Sequence, residues 1–289
     1  MSKIKLEHVS YVYSKGTPYE VTALDDVSVD IEQGSITGII GHTGSGKSTF
    51  VQLLNGLEKP GEGRVLLDGR DIWEKPGEIG KIRFRVGLVM QYPEYQLFEE
   101  TIRADIAFGP KNMGLDQKEI EERVKMAADF VGIEEELLDK SPFDLSGGQK
   151  RRAAIAGIIA MKPEVLVLDE PAAGLDPLGR DAIFQSIVNY RNQTGATVVI
   201  VSHSMEDMAR FCEEIIVMAR AKVVMKGKCG EIFSKAELLE QIGLDVPQIT
   251  RLVKLLENRG VEIKDGIYTV EDAVAELSRI LSSLSSERS

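Results

Sequence analysis

Cysteine is nearly missing: Cys212 and Cys229 are the two in 289 residues. They have neither metal-ligand spacing nor a partner cluster. That argues against a zinc module and favours reduced thiols over a disulfide. An excess of positive charge is missing too. Asp and Glu number 46 against 35 Lys and Arg, a net charge of −11. Wrapping nucleic acid relies on Lys and Arg neutralising phosphates, so no nucleic-acid partner is expected. Long apolar runs are also lacking. The longest, "AAIAGIIAM" and "ATVVIV", fall well short of the ~20 residues needed to span a bilayer. The start "MSKIKLEHVS" has no apolar leader core, so no secretory signal is read there. A protein of this kind working at a membrane needs another molecule to anchor it.

Apolar residues suited to a core are present, at 43% of the chain, enough for one large domain and an appendage. "IKLEHVSYVY" and "ALDDVSVDI" alternate apolar and polar residues, as half-buried antiparallel strands do. "SITGIIG" reads as a buried strand running into a glycine loop and a helix. "GEGRVLLDGRDI" has hairpin chemistry at Asp68-Gly69. Residues 116–139 are charged and helical in period, with Val124, Ala127, Ala128 and Val131 on one face. "EVLVLDEP" and "TVVIVSH" are buried strands flanking an amphipathic helix, and "EEIIVMARAKVVMKG" supplies two more strands. Strands alternating with helices predict an α/β fold with a mostly parallel sheet, plus an antiparallel piece at the front. After about Gly230 the texture turns helical. Thr269-x-x-Asp272 marks a last helix from about Glu271, and "SSLSSERS" is expected to fray.

Gly41-His42-Thr43-Gly44-Ser45-Gly46-Lys47-Ser48 fits G-x-x-x-x-G-K-[ST] at every fixed position, between a strand and a helix. Its backbone N–H groups can surround a polyphosphate, Lys47 adds charge at the outer phosphates, and Ser48 offers a hydroxyl to Mg²⁺. Asp169 and Glu170 end an apolar strand. Strand neighbours point to opposite sides, which predicts separate jobs: Asp169 for Mg²⁺, Glu170 for polarising an attacking water. The alternative is a pair of solvated surface acids. His203 ends another buried strand, where open α/β sheets place ligands; it reads either as a γ-phosphate or water contact or as a structural histidine. Gln91 follows "RVGLVM" and can ligate Mg²⁺ or water. The next segment, "YPEYQLF", is an apolar, aromatic loop, expected either to meet a partner or to be buried under the helical insertion. Tyr11 or Tyr13 can stack on a nucleobase, and spacing does not choose between them. Ser146-Gly147-Gly148-Gln149 opens a helix and forms a second anion site about a hundred residues after the first.

These elements, with "AGLDP" at 173–177, occur in the order found in ABC-transporter nucleotide-binding subunits, and residues 1 to about 230 resemble that family. "VGLVMQYPEYQLFEETIRADIAFGPKN" and the tail "GLDVPQITRLVKLL" are more specifically similar to the ATPases of energy-coupling factor (ECF) vitamin transporters, and "QYPEYQLFEET" to the second of their two paired ATPases. The resemblance implies a P-loop NTPase core with a RecA-like sheet, an antiparallel β subdomain and a helical signature subdomain at about 92–162. It divides the chain into a cassette, 1–230, and a C-terminal dimerisation extension, 231–289. It also implies that Tyr13 stacks on adenine, that Thr49 joins the P-loop in binding ATP, that Glu170 is the base and His203 the switch histidine. Asp176 becomes an inter-subunit acid, and Ser146 to Gln149 serve the partner's ATP. Expected cofactors are ATP and Mg²⁺, the latter held by Ser48, Gln91 and Asp169. Expected partners are a paralogous or identical ATPase subunit, a membrane coupling subunit docking near Tyr92 to Phe98, and a membrane substrate-binding subunit. The expected location is peripheral, on the cytoplasmic face of the cell membrane. The alternatives within the resemblance are a homodimeric cobalt or nickel uptake ATPase and a non-transport ATPase of the superfamily.

Overall fold

A computed structural model describes residues 1–264 and 266–286 of the chain. The last three residues of the tail expected to fray lie outside the described residues. Among the described residues, ten strands form two sheets: β1 Ser2–Tyr13, β2 Val21–Glu32, β3 Ile36–Ile40, β4 Glu62–Leu67, β5 Arg70–Asp71, β6 Val86–Val89, β7 Val165–Asp169, β8 Thr197–Val201, β9 Glu214–Ala219 and β10 Lys222–Lys228. Among the described residues, twelve α-helices accompany them. Those flanking the early strands are α1 Lys47–Leu54 and α2 Ile79–Arg85. The middle of the chain contributes α3 Ile102–Asn112, α4 Gln117–Val131, α5 Glu135–Leu138 and α6 Gly147–Ile159. Next come α7 Pro177–Thr194 and α8 Met205–Phe211. The C-terminal set is α9 Cys229–Phe233, α10 Ala236–Gln241, α11 Gln248–Glu257 and α12 Val270–Ser286.

The first sheet has the order β2-β1-β4-β5 and is antiparallel. The second has the order β10-β9-β3-β8-β7-β6; its strands from β9 to β6 run parallel, and β10 returns antiparallel at the edge. β3, β7 and β8 are short apolar runs buried on both faces, as parallel strands covered by helices must be. One core lies between the antiparallel sheet, α1 and one face of the parallel sheet, built on Leu6, Ile39, Phe50, Leu54 and Val199. The other lies on the opposite face, where α3, α4, α6 and α7 cover Ile40, Leu166 and Val198. Val124, Ala127, Ala128 and Val131 are all buried in it, as their spacing predicts. Strand order fixes the geography of the site. β3, β8, β7 and β6 are neighbours, and the loops leaving their C-terminal ends share one edge of the sheet.

An ion-pair cluster fastens the antiparallel sheet to the parallel one. Lys3 Nζ lies 2.8 Å from Asp68 Oδ1 and 2.6 Å from Glu164 Oε2. Arg85 reaches both acids, donating to Glu164 Oε1 from Nε at 2.6 Å. The hydrogen bonds from Arg85 and Lys3 bring the Glu164 carboxyl down to about 2 from 4.5, against the upward pull of burial. A carboxyl depressed in the folded state contributes stability above its unfolded pKa and loses it as pH falls through the folded one. Glu164 is 43% exposed, so solvent screening limits the contribution to about 1 kcal/mol. Glu164→Gln is therefore expected to lower unfolding stability at pH 7 by about that amount. The difference from wild type should shrink between pH about 4.5 and about 2 in urea titrations across that window.

Candidate active site

The P-loop leaves β3 at Gly41 and enters α1 at Lys47. Its shape depends on Gly46, which has φ +103° and approaches β2 so closely that a Cβ would sit 2.3 Å from the Ala23 carbonyl oxygen. No L side chain fits that position. Lys47 is buried, and its Nζ donates to the carbonyls of Gly41 at 2.7 Å and His42 at 3.1 Å. Burial lowers its pKa, while Glu170 and Asp169 work in the opposite direction. The buried Ser45 hydroxyl has no hydrogen-bond partner among the described residues.

Asp169 closes β7, directly across from Val201 at the end of β8. Burial raises its pKa against the Ser48 hydroxyl, Lys47 and His203. Strand alternation does not continue into the second acid. The chain leaves the strand at Asp169, and Glu170 takes φ +52°, left-handed for a residue with a Cβ. Its N–H donates to the Val201 carbonyl at 3.0 Å, which anchors the turn to β8. Burial and the neighbouring Asp169 bring the Glu170 carboxyl up to about 7. Its Oε1 is buried, makes no hydrogen bond among the described residues, and lies 3.3 Å from His203 Nε2. A carboxyl with that pKa can take a proton from water near neutral pH, and backbone strain at such a position is a common mark of a working site. His203 follows β8 and is half exposed; burial and Lys47 lower its pKa. Gln91 lies two residues beyond β6 and is exposed.

The two tyrosines separate. Their rings meet edge-on at 4.8 Å. Tyr11 packs against the core and donates to Glu58. Tyr13 is exposed at the strand end, with its hydroxyl 3.2 Å from Thr49 Oγ1 on α1. Of the two, Tyr13 presents the more exposed ring, beside the P-loop helix.

The Ser146 segment lies away from the P-loop. Ser146 caps α6 through a complete capping box: its Oγ accepts from the Gln149 N–H, and Gln149 Oε1 accepts from the Ser146 N–H. The first N–H groups of a helix have no intrahelical acceptor, and Gly147 and Gly148 stand at the first two positions of α6. These glycines, Arg151 and the loop from Gly174 to Gly179 line a cleft of about 600 Å³, and no P-loop residue lines it. Asp176 lies in the same cleft and caps α7, accepting from the Gly179 N–H at 2.7 Å. Arg180–Asp207 and Arg210–Asp181 pairs then tie α7 to α8, just past His203.

The aromatic loop is not buried under the helical insertion. Pro93–Gln96 forms a short 3-10 turn with Tyr95 84% and Phe98 64% exposed. Glu94 of this loop pairs with the buried Arg151 of α6, a contact that no sequence spacing announces. Arg151 precedes Ile155 and Ile159 at four-residue spacing, so it sits on the apolar face of α6.

The ABC transporter family profile matches residues 24–173. The energy-coupling factor transporter ATP-binding protein EcfA2 of Caldanaerobacter subterraneus subsp. tengcongensis is 53% identical over 278 residues, spanning 96% of this chain and 97% of that protein. The chain belongs to the ABC transporter ATP-binding family. Within it, the chain groups with the energy-coupling factor ATP-binding subunits. The solved structure of cbiO1 from Clostridium perfringens, part of the ABC transporter complex cbiONQ, superposes with a TM-score of 0.74 at 39% identity, covering 88% of this chain and 99% of that one. The cassette MJ0796, solved as a dimer in a post-hydrolysis state with ADP and Pi, has a TM-score of 0.70 at 30% identity, covering 78% and 98%. The family reaction is ATP hydrolysis coupled to transport, and the fold is the ABC cassette. Among the described residues, no helix is long and apolar enough to cross a membrane.

Proposed function

We propose that the protein energises uptake of a vitamin or similar micronutrient by closing and opening as a head-to-tail dimer with a second ATPase subunit. One observation carries the dimer: the P-loop and the Ser146 nest line different surfaces of one chain. A second copy or a paralogue brings the missing half to each ATP. The glycines agree with this. A Cβ at Gly147 would meet nothing within 4 Å, and one at Gly148 would reach only Leu175 at 3.9 Å. The chain's own packing leaves the space over both glycines open, which supports an approach from outside.

In this reading Gly41 to Thr49 hold the phosphates, Tyr13 stacks on adenine, Glu170 receives the proton of the attacking water, and His203 holds Glu170 and the γ-phosphate in register. Asp176 works across the interface. Ser48, Gln91 and Asp169 form an oxygen-rich set suited to Mg²⁺, and the Ser48 hydroxyl already bears on the Asp169 carboxyl. Bound there, the metal would neutralise charge on the β and γ phosphates. Residues 231–289 act as a dimerisation extension. α12 supports this, exposing Val270 and Val274 one turn apart.

The Tyr92 to Phe98 loop docks a membrane coupling protein, itself joined to a substrate-binding membrane protein, which keeps this chain peripheral on the cytoplasmic face. A cluster of exposed aromatics marks an interaction site. Changing both Tyr95 and Phe98 to Asp should abolish co-purification of the membrane proteins while ATP binding persists. Undiminished co-purification, with hydrolysis lost in the isolated subunit, would move the loop from docking to the catalytic core.

A further inference from the structure

Arg151 is a cation on the apolar face of the signature helix, 3% exposed. Its guanidinium is shared between two segments far apart in sequence. Nε and Nη2 donate to the Glu94 carboxylate at 2.9 and 2.6 Å, a two-pronged grip on the 3-10 turn of the docking loop. Nη1 donates to the carbonyl of Ala173, between Glu170 and Asp176. The Tyr92 ring lies 5.7 Å from its Cζ, completing the contact with the loop. Tyr92 itself has φ +55°, so the loop enters the turn in a left-handed conformation its side chain disfavours. Burial raises the Glu94 carboxyl, and the Arg151 hydrogen bonds more than offset it, so the pair is ionised at neutral pH.

A planar fork with five donors can satisfy a carboxylate and a carbonyl together; a lysine ammonium on a flexible stem cannot reproduce that geometry. Glu94, Arg151 and Asp176 all border the signature cleft. No P-loop residue lines that cleft. One guanidinium thus holds the Glu94 carboxylate and the Ala173 carbonyl at the same time.

We propose that Arg151 is a positioning residue that couples the docking loop to the inter-subunit loop and signature nest, so that engagement of the membrane partner is registered at Asp176. This rests on the docking reading above. A buried pair serving stability alone would hold the same atoms together but would transmit nothing.

The test is amide hydrogen exchange in D₂O, comparing the isolated ATPase dimer with the full membrane complex. In wild type, assembly should slow exchange at 92–98 and, roughly tenfold, at 171–176, the size of effect expected for a coupled network. In Arg151→Lys, and separately in Glu94→Gln, the slowing at 92–98 should persist and that at 171–176 should vanish. Slowing at 171–176 that survives both substitutions, or that is missing in wild type while 92–98 is slowed, overturns the coupling role and leaves docking intact. No slowing at 92–98 in wild type refutes the docking reading and this inference with it.

Discussion

Glu170→Gln should lower ATP turnover by ~10²- to 10⁴-fold, the usual worth of a general base, while ATP still binds. The amide keeps the size and the left-handed turn and loses the ability to take a proton. Position and environment both single out this carboxyl. It follows β7 at the C-terminal edge of the sheet, burial and Asp169 bring it up to about 7, and its buried Oε1, without a hydrogen bond among the described residues, lies 3.3 Å from His203 Nε2. The neighbouring Asp169 is pushed up by burial as well; Lys47 and His203 oppose the shift at both acids, and the Ser48 hydroxyl opposes it at Asp169. The two acids therefore differ in their surroundings as well as in order along the chain. The check is steady-state turnover beside a nucleotide-binding titration on the same preparation. Turnover within a few fold of wild type would remove Glu170 from the base role. Loss of binding together with turnover would make it a structural acid.

Much of this site was legible because it is written in local patterns. The P-loop needs glycine at Gly46, where φ and the Ala23 carbonyl forbid a side chain. The strands ending at Asp169 and just before His203 are short apolar runs that can only be interior strands. The capping box at Ser146 is visible as a serine three residues before Gln149. What escaped depends on contacts distant in sequence. Alternation places Tyr11 and Tyr13 on one face, and only the packing of α1 decides which stays exposed. Alternation also misleads at Glu170, because a left-handed residue with a Cβ is held by a bond to β8 that no local pattern encodes. Lys3 and Glu164 meet across 161 positions, and Arg151 finds Glu94 across 57. Which member of 150–152 turns inward is decided by the packing of α6, where Arg151 alone of the three is fully buried among the described residues.

The second large effect concerns Gly147. Valine there has room within its own chain, since nothing lies within 4 Å of the added Cβ, so folding should be spared. A valine at the mouth of the nest instead blocks whatever approaches from outside. If that is the partner's ATP, Gly147→Val silences a P-loop on another polypeptide and spares its own. The loss should match or exceed that of removing one transition-state donor, ~10²- to 10³-fold at the affected site.

Two mixed dimers, assayed for single-turnover ATP hydrolysis, test this most directly. In the first, this chain carries Gly147→Val and the partner carries an alanine in place of its own P-loop lysine. Both lesions then fall in one composite site, the other is intact, and hydrolysis should persist at that site. In the second, this chain carries Gly147→Val and Lys47→Ala together beside an unaltered partner. Each composite site then has one lesion, and hydrolysis should be lost. The opposite pattern, with activity lost in the first dimer and kept in the second, would show that each chain uses its own signature and would contradict the head-to-tail account.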